Sequence, residues 1–309
     1  MSERWDRFWF DGVPPHIYAL LRITLGLVGF LVLIRLGDAA FWDLDRGFIS
    51  DVSLVGIKSS LRDAGLGTVA GWTLYGVSLL SFLMMTIGFR SSMAVPLALI
   101  SQLVQLSWNS LPLSGAHPTL QSMLFCLMWA DTGASWSVDA WLERRRKTGV
   151  PAEPQAAPEP EAVSIAPLRL LRYQIALIYL VTGLWKLGNP SWRDGSAVHY
   201  VLNTNVFHRF AGLLSPNLEW LAELGTYTTL AWELGFAFLL LWRPTRWLVL
   251  VLGVLMHLGI FATIEVGPFH FVMLAAYPAF LEPAFVARLF SRVTPLRSAG
   301  SPDPVIGAA

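Results

Sequence analysis

The chain has 309 residues, of which 54% are hydrophobic and only 14% are charged, with a formal net charge of +1. A soluble globular protein carries about 25% charged residues, so this composition argues against that class and indicates a polytopic membrane protein. The near-neutral charge argues against nucleic acid as a partner, and the single cysteine, Cys126, cannot form an intrachain disulfide.

The apolar stretches predict an all-α integral membrane protein with about eight transmembrane helices, since such a helix needs about 20 mostly apolar residues. Suitable stretches lie at residues 16–36, 67–88, 91–109, 118–134, 168–187, 220–241, 245–264 and 268–284. The intervening segments 38–66 and 189–219 are too polar to span and mix aromatic with charged residues. This mixture is typical of interfacial helices, which we expect to roof a pocket on the outer side.

The basic residues predict the orientation, because lysine and arginine favour cytoplasmic loops. The richest cluster, "ERRRK" at 143–147, lies between the fourth and fifth predicted spans. If this loop is cytoplasmic, a multi-pass protein of eight spans has both termini in the cytoplasm. We expect the membrane to be a bacterial cell membrane. Residues 1–287 then form the transmembrane domain and 288–309 a short cytoplasmic tail. The Pro-, Ala- and Glu-rich segment 148–166 is predicted to be a flexible cytoplasmic linker.

Ionisable residues inside predicted spans are costly to bury, and each is therefore a functional hypothesis. His117, Lys186, His257 and Glu265 all fall on the outer side in this topology, which suggests one outer-facing polar pocket. Each has a structural alternative. Lys186 could extend its ammonium to water, His117 could cap a helix, His257 could bond between helices, and Glu265 could be a solvated helix end.

Two further charges, Arg22 and Glu233, lie deeper and toward the inner side in this topology. A buried Arg22–Glu233 pair that ties two helices together would satisfy both, so a structural role is expected for them. The sequence contains no phosphate-binding loop, dinucleotide fingerprint, HExxH or CxxC motif. The histidines His117, His257 and His270 are not spaced as a recognisable metal site, so no metal is expected.

Several motifs resemble, in the same order, those of the HTTM membrane family, which includes the vitamin K-dependent gamma-carboxylase. The strongest is "QIALIYLVTGLWKLGNPSWRDGSAVHYVL", which is similar to the family's Q-x-x-x-x-Y-x-x-x-G-x-x-K-L…W-x-x-G segment. The others are "LLRITLGLVGFLVLIRL…LDRGFISD", "AHPTLQSMLFCLMWADTGASWSVDAWL", "LAWELGFAFLLLW" and "LMHLGIFATIEVGPFHFVMLAAYP". The resemblance covers nearly the whole chain.

The resemblance implies quinol- and oxygen-dependent carboxylase and epoxidase chemistry, with reduced vitamin K or menaquinol as the cofactor. By this resemblance Lys186 is the catalytic base that deprotonates the quinol, and His117 assists the oxygenation step. An apolar surround favours the neutral amine of a lysine, which makes such a base physically reasonable. The substrate-binding residues are expected to be Tyr179, Trp192, His257 and Glu265, and the expected partners are membrane lipid and a quinone.

The sequence departs from the carboxylase at two points. Where the carboxylase has a Lys-Lys pair this chain has Trp185-Lys186, and a short tail follows the last span where the carboxylase has a large propeptide-binding domain. We therefore expect the chain not to hold a protein substrate in that way. Two alternatives stay open at this point: a non-catalytic protein that binds quinone or lipid or acts as a scaffold, and a transporter.

Overall fold

The computed structural model describes residues 3–46, 54–111, 113–148, 161–207, 209–210 and 219–293. Fifteen α-helices, one 3₁₀ turn and two very short strands lie within these residues. In chain order they are α1 (Glu3–Phe10), β1 (Gly12–Val13), α2 (His16–Arg35), α3 (Ala39–Trp42), α4 (Val55–Asp63), α5 (Gly67–Ile87), α6 (Ser91–Trp108), α7 (Ala116–Leu127), α8 (Val138–Thr148), β2 (Val163–Ser164), α9 (Ala166–Gly188), α10 (Pro190–Arg193), α11 (Ala197–Asn203), α12 (Glu219–Leu241), α13 (Arg243–Thr263), α14 (Phe269–Ala276), a 3₁₀ turn (Tyr277–Phe280) and α15 (Pro283–Val293). The predicted all-α class is confirmed.

Each of the eight predicted spans overlaps a helix, but fewer of these helices meet the requirements for a span. Among the described residues, three are long and apolar enough to cross a membrane: His16–Arg35, Gly67–Ile87 and Pro244–Thr263. A fourth span results if Phe269–Phe280 and Pro283–Ser291, bent by 96°, are counted together. The helix at the predicted fourth span, α7, has 12 residues, or about 18 Å, against a hydrocarbon core of about 30 Å. The count of eight transmembrane helices stays a prediction.

Short helices do occur in both segments that were predicted to lie at the interface. α3 and α4 fall within 38–66, and α10 and α11 fall within 189–219. Parts of both segments, 47–53 and 211–218, lie outside the described residues. A roof over a pocket therefore stays a prediction.

The hydrophobic core runs through α2, which packs against α5, α14, α15 and α7. A second set of contacts joins α9 to α12 and α7, and α6 lies between α5 and α7. α9 and α12 approach each other closely at Gly183, where a Cβ atom would lie 3.1 Å from Cβ of Glu233. This approach is what brings the charged residues of the two helices together.

Arg22 is fully buried in α2 and is satisfied by backbone carbonyls. Its guanidinium donates to the oxygens of Met85 and Thr86 in the last turn of α5, at 2.7 Å each, and to those of Thr132 and Trp136. A cation at a helix C-terminus also interacts favourably with the helix dipole. The expected Arg22–Glu233 pair is wrong, because free carbonyls at the end of α5 lie nearer to Arg22. Its expected structural role agrees with these contacts.

The segment before α5 is held by Asp43 and Asp45. The Asp43 carboxylate accepts hydrogen bonds from the Asp45 amide, at 2.9 Å, and from the Thr68 hydroxyl, at 3.0 Å. These bonds favour the ionised form and lower the pKa of Asp43. Asp45 Oδ2 accepts from the Thr68 amide at 3.1 Å, so the two carboxylates fix the start of α5 against the end of α3.

The two strands, which the sequence did not predict, join the halves of the chain. β1 pairs antiparallel with β2, with Gly12 opposite Ser164. The Tyr18 hydroxyl, on α2, donates to the Ser164 carbonyl at 2.6 Å. β2 falls within the predicted linker 148–166, whereas 149–160 and the tail residues 294–309 lie outside the described residues.

We expect Gly71→Ala to destabilise the protein by about 1–3 kcal/mol, because overpacking forces the backbone to shift. A Cβ atom at Gly71 would overlap the backbone carbonyl of Trp42, which cannot rotate away. Gly76→Ala is the matched control on the same helix, since a Cβ atom there meets nothing within 4 Å. Thermal unfolding of both variants in detergent measures the difference, and equal melting temperatures would contradict the expectation.

Candidate functional site

Lys186 lies two residues before the end of α9 and does not extend freely into solvent. Its ammonium donates to Oε1 of Glu233 on α12, and its Nζ lies 4.7 Å from the centroid of the Trp192 ring on α10. The Lys186 side chain is 20% exposed and that of Glu233 is 10% exposed. Lys186 and Glu233 therefore form a nearly buried ion pair, which the Trp192 ring covers.

Glu233 reaches Lys186 because the two helices are offset along their axes. The first turns of α12 extend past the end of α9. The first turns of α12 run beside the segment that follows α9: the Tyr227 hydroxyl donates to the Arg193 carbonyl at 3.2 Å, and the Val198 amide donates to the Thr226 hydroxyl at 3.0 Å. Glu233 is thus level with the last two turns of α9. The expectation that Glu233 lies toward the opposite side of the membrane from Lys186 is wrong, because α12 begins about three turns beyond the end of α9.

A second polar group lies on the same face of α9, seven residues before Lys186. The Tyr179 hydroxyl is 2.6 Å from Nε2 of His257 on α13 and 2.8 Å from the hydroxyl of Tyr277. A seven-residue separation is almost two full turns, which puts Tyr179 about 10 Å along the same face as Lys186. We refer to the Lys186–Glu233 pair with Trp192, together with Tyr179 and His257, as the Lys186 site.

Two polar atoms of the Lys186 site are buried and have no hydrogen-bond partner among the described residues. They are Oε2 of Glu233 and Nδ1 of His257. Unpaired polar atoms are costly inside a protein and more so at membrane depth. The ring of Phe236, 4.2 Å from that of Tyr179, and the ring of Trp192 supply aromatic surface next to them.

His117 lies at the start of α7 and is not part of the Lys186–Glu233 contact. Its Nδ1 accepts a hydrogen bond from the Ser114 amide at 3.1 Å, and its Nε2 is buried with no partner in the described structure. The Phe269 ring is 6.2 Å from the His257 ring, and a Cβ atom on Gly115 would lie 4.0 Å from it. Phe269 is thus near both His257 and the turn that precedes α7.

Glu265 pairs with Arg209 at 2.6 Å and is about half exposed. In the part of the chain that the structure describes, it makes no contact with Lys186. The structure thus places Lys186 with Trp192, and Tyr179 with His257 about two turns away along α9, whereas Glu265 pairs with Arg209 and His117 with the Ser114 amide. Sequence reasoning missed Tyr277, whose only signal is a phenol within an apolar segment.

A separate groove of about 820 Å³ lies between α6, α7 and α9 and is almost entirely apolar. Its lining includes Ala237, one turn from Glu233 on α12, and Leu180 on α9. Its remaining lining residues are Leu99, Leu103, Pro118, Gln121, Ser122, Phe125, Cys126, Leu170, Tyr173, Gln174, Ala176 and Leu177. The groove does not include Lys186, His117 or His257, so it is not the predicted pocket.

Metal-binding residues are not grouped in the described ranges: no three His, Cys, Asp or Glu side chains there are arranged to hold an ion. The Lys186 site itself contains a lysine, a carboxylate, an imidazole and phenols.

A family model described as the HTTM domain matches residues 13–285. The chain belongs to the HTTM family. It is thereby related to the vitamin K-dependent gamma-carboxylase, and the family together with the apolar helices identifies it as a membrane protein. No solved structure matches this HTTM protein significantly.

Proposed function

We propose that this HTTM protein is a quinol- and oxygen-dependent membrane enzyme of the carboxylase and epoxidase type, with Lys186 as its base. The observation that carries the proposal is the nearly buried Lys186–Glu233 pair beneath Trp192, with one carboxylate oxygen unpaired. Membership of the family that contains the gamma-carboxylase supports it. We further propose a multi-pass topology with both termini cytoplasmic and the Lys186 site facing outward, as the distribution of basic residues favours.

The residues of the Lys186 site fit a quinol headgroup, which is a flat aromatic ring with two hydroxyl groups. The partly exposed Trp192 ring, whose centroid lies 4.7 Å from Nζ of Lys186, can contact such a ring. Oε2 of Glu233 can accept a hydrogen bond from one hydroxyl, and Nδ1 of His257 is a second unpaired polar atom. When bound, reduced vitamin K or menaquinol would supply the electrons that reduce oxygen.

The Lys186–Glu233 pair can hold the proton that this chemistry moves. Transfer of one proton from Nζ of Lys186 to Oε1 of Glu233 produces an amine and a carboxylic acid with no change in net charge. The amine nitrogen then takes a proton from the ligand, and the Trp192 ring stabilises the ammonium that results. His117, with its unpaired Nε2, is proposed to assist at the oxygen step.

We expect Lys186→Arg to lower quinol turnover by about 100-fold or more, the usual contribution of a general base. Arginine keeps the ion pair with Glu233 and the contact with Trp192, but it stays protonated at neutral pH and cannot act as a base. The assay supplies reduced vitamin K or menaquinol, oxygen and bicarbonate to the purified protein in lipid, and resolves the quinone epoxide by mass spectrometry.

Lys147→Arg is the matched control, because Lys147 is exposed on α8. It should leave turnover unchanged. Full epoxide formation by Lys186→Arg would contradict the proposal. Quinol binding without any epoxide, by a correctly folded wild-type protein, would also reject catalysis and would favour a non-catalytic quinone or lipid binder.

A further inference from the structure

The apolar groove between α6, α7 and α9 has an arginine at one end. Of the groove's lining residues on α9, Leu170 comes first in the chain and Leu180 last. Arg169 directly precedes Leu170. The helix between residues 170 and 180 is about 15 Å long, which is half of a hydrocarbon core of about 30 Å. The groove therefore has about the length of one leaflet and begins next to a cation.

A series of ring contacts connects Arg169 to the wall of the groove. Its guanidinium carbon lies 3.7 Å from the centroid of the Phe8 ring on α1. The Phe8 ring is 5.2 Å from that of Trp9, which is 6.3 Å from the ring of Tyr173. Tyr173 lines the groove, and residues four apart, such as Arg169 and Tyr173, are neighbours on a helix surface. Arg169 and the groove are therefore adjacent parts of one surface.

The charge beside the groove is positive. Nε of Arg169 is buried without a hydrogen-bond partner among the described residues. Arg172, one turn further along α9, donates to the carbonyls of Ala279 and Leu281, and both Arg169 and Arg246 are within electrostatic range of it. The ion pairs formed within the described ranges involve none of these three arginines. Three cations without a paired carboxylate attract an anion to this end of the groove.

Exposed aromatic rings surround the same end of the helices. Trp5 on α1 is exposed and its ring lies 5.9 Å from that of Trp9. Trp247, in the second turn of α13, is also exposed, and its ring lies 6.2 Å from that of Phe285 at the start of α15. Tryptophan is enriched at the level of the lipid headgroups. The arginines are thus expected at the depth where phosphate groups are found.

We propose that this end of the groove binds the headgroup of an anionic phospholipid at Arg169, with one acyl chain in the groove. A guanidinium matches the oxygens of a phosphate with paired hydrogen bonds, and Arg169 is partly exposed. Basic pockets between transmembrane helices on the cytoplasmic side bind anionic headgroups, and α9 begins on that side in the proposed topology. The apolar groove supplies the surface for the chain.

This site is separate from the Lys186 site and does not depend on quinol chemistry. Binding of lipid to the purified full chain in a non-ionic detergent is measured by native mass spectrometry, without an activity assay. Failure of the proposed enzyme function would therefore leave the result of this test unaffected.

The probes are dioleoyl-phosphatidylglycerol, which is anionic, and dioleoyl-phosphatidylcholine, which has the same chains and no net charge. We expect the anionic lipid to bind about tenfold more tightly or better, as one charge-assisted hydrogen bond allows. Inorganic phosphate at the same concentration as the lipid distinguishes a lipid site from a phosphate site. It should displace little of the anionic lipid, because it cannot occupy the groove.

Arg169→Gln should weaken binding of the anionic lipid about tenfold and leave binding of the neutral lipid unchanged. The matched control is Arg145→Gln, because Arg145 also lies over an aromatic ring, that of Trp141 on α8, at 3.9 Å. This control should keep the preference of the wild-type protein for the anionic lipid.

The groove is tested by a second pair of substitutions on α9. Leu177 lines the groove, whereas Leu184 is not among its lining residues, and the two are 52% and 54% exposed. Leu177→Trp adds bulk inside the groove and should weaken binding of both lipids about tenfold. Leu184→Trp is the matched control and should leave both affinities unchanged.

The proposal is overturned if the wild-type protein binds the two lipids equally, or if Arg169→Gln keeps the same preference as Arg145→Gln. Full displacement of the anionic lipid by an equal concentration of phosphate would also overturn it, since the arginines would then bind phosphate alone. If Arg169→Gln fails to fold, the Leu177→Trp variant still decides the matter, because lipid affinities equal to those of Leu184→Trp contradict a chain in the groove.

Discussion

We expect Arg22→Met to lower the free energy of unfolding by about 3–5 kcal/mol, the cost of breaking a buried, hydrogen-bonded charge network. Methionine has a similar length but donates no hydrogen bonds, so the carbonyls of Met85, Thr86 and Thr132 lose their partner. The end of α5 would then be left unsatisfied in a buried setting. Unfolding in a denaturing detergent, followed by circular dichroism, measures the loss.

Arg35→Met is the matched control, because Arg35 is exposed at the end of the same helix, α2. It removes the same functional group and should change stability by no more than about 0.5 kcal/mol. Equal effects of the two substitutions would show that the carbonyl contacts of Arg22 contribute nothing specific.

The second large effect concerns the Lys186–Glu233 pair. We expect Glu233→Leu and Lys186→Met each to cost about 2–3 kcal/mol, because each leaves a nearly buried charge without its partner. The double variant removes both charges and should recover most of that loss. A double-mutant cycle on thermal or detergent unfolding yields the coupling energy between the two side chains.

An exposed pair on α8 provides the comparison for this cycle. Glu143 and Lys147 are four residues apart with side chains 52% and 74% exposed, and such pairs couple by about 0.3–0.5 kcal/mol. Strictly additive losses at Lys186 and Glu233 would contradict the ion pair. They would also remove the proton-holding partner on which the proposed mechanism depends.

The sequence alone predicted those features that depend on residues close together in the chain. Apolar stretches predicted α2, α5 and α13, because about 20 mostly apolar residues in a row are typical of a membrane-spanning helix. The rarity of charges inside these stretches singled out Lys186 and Glu233 as residues of interest. The ordered motifs around them identified the family that the HTTM match to residues 13–285 then confirmed.

The partners of the buried charges were decided only by the tertiary structure. Arg22 and Glu233 both needed a partner, and pairing them with each other was reasonable from sequence position. The actual partners follow from the axial offset between helices: α12 starts beyond α9, which brings Glu233 level with Lys186, and the end of α5 presents carbonyls to Arg22. Helical periodicity determines the face that a side chain occupies but not the offset of one helix against its neighbour.

The same distinction holds for the candidate site. From the sequence alone, His117, Lys186, His257 and Glu265 are predicted to lie on one side of a membrane, since orientation depends on the alternation of spans. The structure pairs Lys186 with Glu233, His257 with Tyr179 and Glu265 with Arg209. Residue types and helices were thus determined by the sequence, whereas the grouping of side chains was decided by contacts between residues far apart in the chain, which no local pattern encodes.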